Sequence, residues 1–145
     1  MATLYLSLGT NLGDRRKNLE TALTLISQRV GTVMARSSVI ETEPWGFESQ
    51  NRFLNMAVKV LTELKPTQVL DTTQAIEREM GRTTKSDAGG YKDRFIDIDI
   101  LLYDDLVIDT PQLTIPHPHM YERSFVMEPL TEIAPHLKKT ADYGR

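Results

Sequence analysis

Two aspartates, Asp97 and Asp99, stand two residues apart inside an otherwise apolar run, R-F-I-D-I-D-I-L-L at residues 94–102. Strand side chains alternate between two faces. One face then carries Ile96, Ile98, Ile100 and Leu102, and the other Asp97 and Asp99, followed by Leu101 and Tyr103. The β-branched content favours a strand. Burial of the isoleucines leaves the opposite side to present the carboxylates. Two like charges roughly 6–7 Å apart repel. A divalent cation, or two of them about 3.5–4 Å apart, removes that repulsion and can clamp a phosphate chain. The plainer alternative is a solvated strand face with two hydrated aspartates, although Asp is a poor strand former.

Phosphate chemistry needs cationic partners. Arg82, Lys85, Lys92 and Arg94 precede the pair and Arg123 follows it. Guanidinium groups match phosphate oxygens bidentately, and loop residues can be brought in by substrate. Lys85 by itself reads as part of a solvated basic loop. No G-x-x-x-x-G-K-[ST] sequence is present, and Gly9–Gly13 is not a dinucleotide fingerprint. His117 is held between Pro116 and Pro118. A fixed imidazole can donate to a phosphate or titrate near neutrality, and equally can be a turn residue. His119 and His136 read as surface residues. Phe53 and Asn55 share a strand face. An aromatic ring beside an amide suits a flat heterocycle, with Trp45 and Phe125 as further stacking candidates. Ser and Thr lack a recognisable His/Asp arrangement, which disfavours acyl transfer.

The elements that must position these groups follow from periodicity. Residues 4–8 read as a first strand and residues 9–14 as a turn-rich segment. Asp14 suits the N-cap of a helix over 15–28, with Leu19, Ala22, Leu23 and Ile26 on one face. Residues 33–40 read as a strand, 41–51 as a long loop and 53–61 as another strand. Pro66 opens a second helix running to about Met80, and Gly81 ends it. Residues 81–93 form a polar, glycine-hinged loop before the Asp-Asp strand. A small hairpin over 106–108 and 113–115, a turn at 116–119 and a short helix over 125–130 complete the chain. The order β-α-β-β-α-β, with extra C-terminal elements, predicts an α+β fold of the ferredoxin-like kind: an antiparallel sheet with both helices on one face.

Composition sets the limits. The chain has 145 residues, 40% hydrophobic and 26% charged, which suits one domain over 1–145. A net charge of −3 argues against nucleic acid as a partner. With no cysteine, disulfides and thiolate chemistry are excluded, and a cytoplasmic location is expected. No apolar run reaches the roughly 20 residues of a membrane helix, and the N-terminus does not read as a signal peptide.

Taken together, the motifs resemble the 6-hydroxymethyl-7,8-dihydropterin pyrophosphokinase family of folate biosynthesis. The resemblance spans nearly the whole chain. It is carried by L-G-T-N-L-G-D from Leu8, E-T-E-P-W-G from Glu41, F-L-N from Phe53 and Q-x-I-E from Gln74. G-R at Gly81, R-F-I-D-I-D-I-L-L, P-H-P-x-M from Pro116 and R-S-F from Arg123 complete it. It implies a ferredoxin-like α+β domain that moves the β,γ-diphosphate of ATP to the hydroxymethyl oxygen of the pterin and releases AMP; a monomer is expected. It further implies that Asp97 and Asp99 hold two Mg²⁺ ions, with Arg82 and Arg94 assisting the transfer. Phe53 and Phe125 would sandwich the pterin, with Asn55, Thr42, Pro44 and Trp45 around it. Gln74, Glu77, Arg82, Arg94, Ile100, His117 and Arg123 would surround ATP, and residues 82–92 would close over the site. The sequence departs from the family pattern at Glu43, at Y-K-D-R from Tyr91 and at Pro118.

Two other classes share parts of this pattern. A two-metal phosphodiesterase or nucleotidyl transferase would release pyrophosphate or act without pterin. A ferredoxin-like regulatory module would bind nucleotide or pterin without turnover.

Overall fold

β1 (Ala2–Thr10) is buried along almost its whole length and is hydrogen-bonded on both sides. β4 (Phe53–Thr62) runs antiparallel on one side of it and β5 (Asp97–Tyr103) on the other. β2 (Gly31–Arg36) and the short β3 (Ile40–Thr42) both pair antiparallel with β4, giving the order β2-β4-β1-β5. The computed structural model describes residues 1–42, 52–81 and 95–137.

α1 (Arg15–Arg29) starts where Asp14 accepts the Lys17 N–H at 3.2 Å, the capping the sequence predicts. Leu19, Ala22, Leu23 and Ile26 are its buried stripe. α2 (Pro66–Glu79) opens with the Lys65 N–H donating to Gln68 Oε1 and buries Val69, Thr73 and Ile76. Both helices pack on one face of the sheet, against Leu4, Leu6, Leu8, Met56, Val58, Ile98 and Ile100. Each such side chain contributes about 1.5–3 kcal/mol by leaving water. α3 (Ser124–Ile133), reached through a tight turn at Met120–Glu122, covers part of the opposite face. There Met120, Val126 and Leu130 meet Tyr5, Ala57 and Leu101. β6 (Ile108–Asp109) and β7 (Thr114–Ile115) form the expected hairpin. The architecture is the predicted ferredoxin-like α+β sandwich, with a helix added to the second face.

The structure departs from the sequence reading in several places. Residues 9 and 10 continue β1 instead of opening a turn. The strand read over 33–40 is two strands, because Ser37 Oγ accepts the Ala57 N–H at 2.9 Å and a side chain takes a ladder position. The neighbouring Ser38 then turns to Glu132 on α3, donating its N–H at 2.8 Å and its hydroxyl at 2.6 Å. Finally, β5 carries a bulge. Tyr5 pairs with Leu102 and Leu6 with Ile100, so Leu101 is the extra residue. It buries under α3, and Tyr103 swings back to the helix side, donating its hydroxyl to the Leu64 carbonyl at 2.6 Å. Strict alternation places Leu102 and Tyr103 on the wrong faces for this reason. A second bulge lies on the outer strand β2, where Met34 interrupts the register and is exposed.

Leu101→Ala is expected to cost about 2–5 kcal/mol in urea unfolding, as for a fully buried leucine, and Leu102→Ala clearly less. The Ser38 hydrogen bonds hold the Glu132 carboxyl below the usual carboxylate range. Their contribution is full above the unfolded-state value of about 4.3 and is lost as pH falls through the lower folded value. Unfolding free energy measured against pH should therefore fall less steeply over that acid range in Glu132→Gln than in the parent.

Candidate active site

Beyond the apolar patch under α3, the second face of the sheet turns polar. Register makes this a single row: Asn55 on β4 lies opposite Gly9 on β1, and Gly9 lies opposite Asp97 on β5. Asp99 pairs one step along with Ser7. Cross-strand spacing puts Asn55 and Asp97 roughly 10 Å apart at the backbone. The position between them is tight for a side chain: a Cβ on Gly9 would press on Asn55 Oδ1 at 3.0 Å and touch the Phe53 ring at 3.5 Å. Asn55 is buried, and its amide nitrogen donates to Thr42 Oγ1 at 2.7 Å. That bond orients the amide and turns Oδ1 toward Gly9. Phe53, two residues before Asn55, pairs with Thr42.

Asp97 and Asp99 are half-buried and line a cleft of about 330 Å³ at the outer margin of β5. Its other walls are Leu70, Gln74 and Glu77 of α2, residues 111–114 of the hairpin, and His117 with Pro118. Glu77 is buried and accepts the Ile98 N–H at 2.7 Å. Ile98 therefore points its backbone polar groups off the sheet, and by alternation Ile100 does the same into the cleft. The aspartates and the outward backbone of β5 thus face one space.

His117 is fastened from two sides. Its N–H donates to the Leu101 carbonyl at 3.0 Å, and its Nδ1 accepts the His119 N–H at 3.3 Å. With Nδ1 accepting, the neutral ring carries its proton on Nε2. Burial, then the Arg123 and His119 charges, push the His117 pKa down, against the pull of Asp97. Arg123 is buried, with its guanidinium 5.7 Å from the centre of the Phe125 ring. Arg123 thus acts both on His117 of the cleft and on the aromatic at the start of α3.

Sequence reasoning placed Thr42, Phe53, Asn55, Gln74, Glu77, Asp97, Asp99, Ile100, His117, Arg123 and Phe125 at a site. Thr42, Phe53, Asn55, Asp97 and Asp99 lie along the polar row, and Gln74, Glu77, Asp97, Asp99, Ile100 and His117 line the cleft; Arg123 acts on His117 and contacts Phe125, outside both linings. Pro44, Trp45, Arg82, Arg94 and the whole of 82–92 lie outside the described residues. The sequence reading missed Gly9, Leu70 and the β6–β7 hairpin as walls. Gly9 belongs to the L-G-T-N-L-G-D motif, but only strand pairing shows what it separates.

The paired carboxylates fit Mg²⁺, a hard cation that takes few protein oxygens and keeps sites for water and phosphate.

Sheet order and cleft define a ferredoxin-like α+β domain with acidic residues at an open strand margin. Comparison with known proteins says which. The family model for 7,8-dihydro-6-hydroxymethylpterin-pyrophosphokinase matches residues 5–135, and the chain belongs to that family. A 2-amino-4-hydroxy-6-hydroxymethyldihydropteridine pyrophosphokinase of Porphyromonas gingivalis is 53% identical over 142 residues, covering 97% of each chain. The enzyme of the same name in Bacillus subtilis is 47% identical over 138 residues, 94% of this chain and 81% of its own. The folic acid synthesis protein fol1 of Schizosaccharomyces pombe is 41% identical over 92% of this chain but only 18% of its own length. Among solved structures, wild-type Plasmodium falciparum HPPK-DHPS with pteroate superposes with a TM-score of 0.72 at 20% identity. That match covers 90% of this chain and 38% of the other, and establishes the shared fold.

Glu77→Ala leaves the buried Ile98 N–H without its acceptor and is expected to lower stability by about 1–3 kcal/mol. Glu77→Gln keeps an acceptor oxygen and should recover most of the loss in thermal melting.

Proposed function

We propose that the Asn55–Gly9–Asp97 row is the substrate axis of the enzyme, with the pterin at one end and the ATP phosphates at the other. As a member of its family the chain is an ATP-dependent diphosphotransferase of folate biosynthesis. It transfers the diphosphate of ATP to the hydroxymethyl group of 6-hydroxymethyl-7,8-dihydropterin and releases AMP. The single observation that carries the residue assignment is the row itself. An oriented amide and the acidic pair lie two strands apart across a glycine, the span of a two-ring heterocycle with its hydroxymethyl arm.

Asn55 Oδ1 accepts from the pterin's ring N–H or amino group, with Thr42 holding the amide in place and Phe53 beside it. Phe125 lies on the other side of the heterocycle, backed by Arg123. Pro44 and Trp45 complete the pterin pocket. ATP lies along the β5 margin, where the outward N–H and C=O of Ile100 suit the edge of a purine and Gln74 and Glu77 form the wall. His117 Nε2–H and the guanidiniums of Arg82, Arg94 and Arg123 offset charge on the phosphates. Asp97 and Asp99 would hold Mg²⁺, two ions in this reading, whose chemistry is to neutralise phosphate charge and polarise the attacking and leaving oxygens. The remaining rate comes from holding the hydroxymethyl oxygen in line with the β-phosphorus.

The chain is read as one pyrophosphokinase domain over 1–145, monomeric and cytoplasmic, with ATP and the pterin as its partners and neither nucleic acid nor membrane. No helix among the described residues is long and apolar enough to cross a membrane.

The decisive assay mixes protein, Mg-ATP and the pterin alcohol and separates the nucleotides. AMP should form only with pterin present. Asp97→Ala and Asp99→Ala should each reduce AMP formation by at least about a thousandfold while melting as cooperatively as the parent. Near-normal turnover in either variant would remove the metal assignment.

A further inference from the structure

Phe95 stands just before β5, is 40% exposed and lies outside the core. The ring is wedged between two glycines from distant parts of the chain. A Cβ on Gly13 would meet Phe95 Cε1 at 3.1 Å, and a Cβ on Gly81 would meet Phe95 Cδ2 at 3.0 Å. Both glycines are left-handed, with φ of 69° and 116°, so a side chain there is disfavoured on conformation as well as on space. Opposite edges of one ring therefore rest on two bare backbone turns.

The three segments joined are those that carry the reaction. Gly13 ends the turn that leaves β1, four residues past the Gly9 of the polar row. Gly81 ends α2, four residues past Glu77 of the cleft wall. Phe95 is two residues before Asp97, and β5 begins at Asp97 instead of at residue 94 as its alternation suggests. Where the ladder to β1 has not yet begun, the chain is held on the core side by the buried Ile96 and on the other side by the Phe95 ring.

We propose that Phe95 is a positioning residue for diphosphoryl transfer: wedged between Gly13 and Gly81, it sets Asp97 against both the α2 wall and the polar row. The proposal rests on the reading of Asp97 as a metal-holding residue. The ring acts through the placement of Asp97 and touches no substrate. Its loss is therefore felt in metal use and the chemical step, while Phe53 and Asn55, held on β4, keep their grip on the pterin.

The test is steady-state kinetics of Phe95→Ala, Phe95→Tyr and Gly13→Ala, with magnesium titrated at saturating ATP and pterin. In Phe95→Ala, kcat should fall by at least about tenfold and half-activation should need more magnesium. The pterin KM should stay within about twofold, and Phe95→Tyr should restore kcat. In Gly13→Ala the added methyl displaces the ring and should reproduce the kcat loss. Unchanged kcat and magnesium dependence in Phe95→Ala would overturn the proposal. So would a pterin KM that rises in step with the loss. If Phe95→Ala does not fold, full kcat in Gly13→Ala overturns it. Failure here is distinct from failure of the metal reading. Inactive Asp97→Ala with unaffected Phe95→Ala sinks only the positioning role, whereas active Asp97→Ala sinks the metal assignment.

Discussion

One register governs the site. Asn55, Gly9 and Asp97 face the same way only because β4, β1 and β5 are locked in one antiparallel alignment. Strand side chains have a period of two, so a slip of one residue would send all three to the face packed by α1 and α2. The leucines of β1 prevent that slip. Leu4, Leu6 and Leu8 are fully buried under the two helices, and they hold Tyr5, Ser7 and Gly9 on the other side. The apolar core and the polar row are the two faces of one constraint.

The second constraint is that α3 covers only part of the other face. Its apolar residues need Tyr5, Ala57 and Leu101 beneath them, and plain alternation along β5 supplies the third of these. Without the bulge Leu101 would still lie on that face, but Tyr103 would follow it there instead of closing the core beside Leu64. The bulge lets one strand carry two aspartates to the site, a leucine to α3 and a tyrosine to the main core within seven residues.

The helices were legible in the sequence because a 3.6-residue stripe is a local signal: Leu19, Ala22, Leu23 and Ile26 are the buried residues of α1, as their spacing predicts. The Asp97/Asp99 pair was legible for the corresponding reason at period two. What could not be read locally was pairing. The split at Ser37, the bulge at Leu101 and the strand character of Gly9 each depend on a partner strand distant in sequence. Residue types showed which side chains suit chemistry, and the resemblance supplied their roles. Only the register shows that an amide and a carboxylate lie in line with a glycine between them. Phe95 escaped for a related reason, since its two contacts lie 82 and 14 residues away in sequence.

The two outer margins of the sheet are treated differently. On β2 the ladder is broken by the bulge at Met34, so an incoming strand finds no straight run of donors and acceptors. On β5, Glu77 occupies the Ile98 N–H, but the outward groups of Ile100 face an open cleft. Outward backbone groups of this kind suit a stray peptide as well as any ligand, so on the reading proposed above bound nucleotide would also cover the border through which two copies could pair strand to strand.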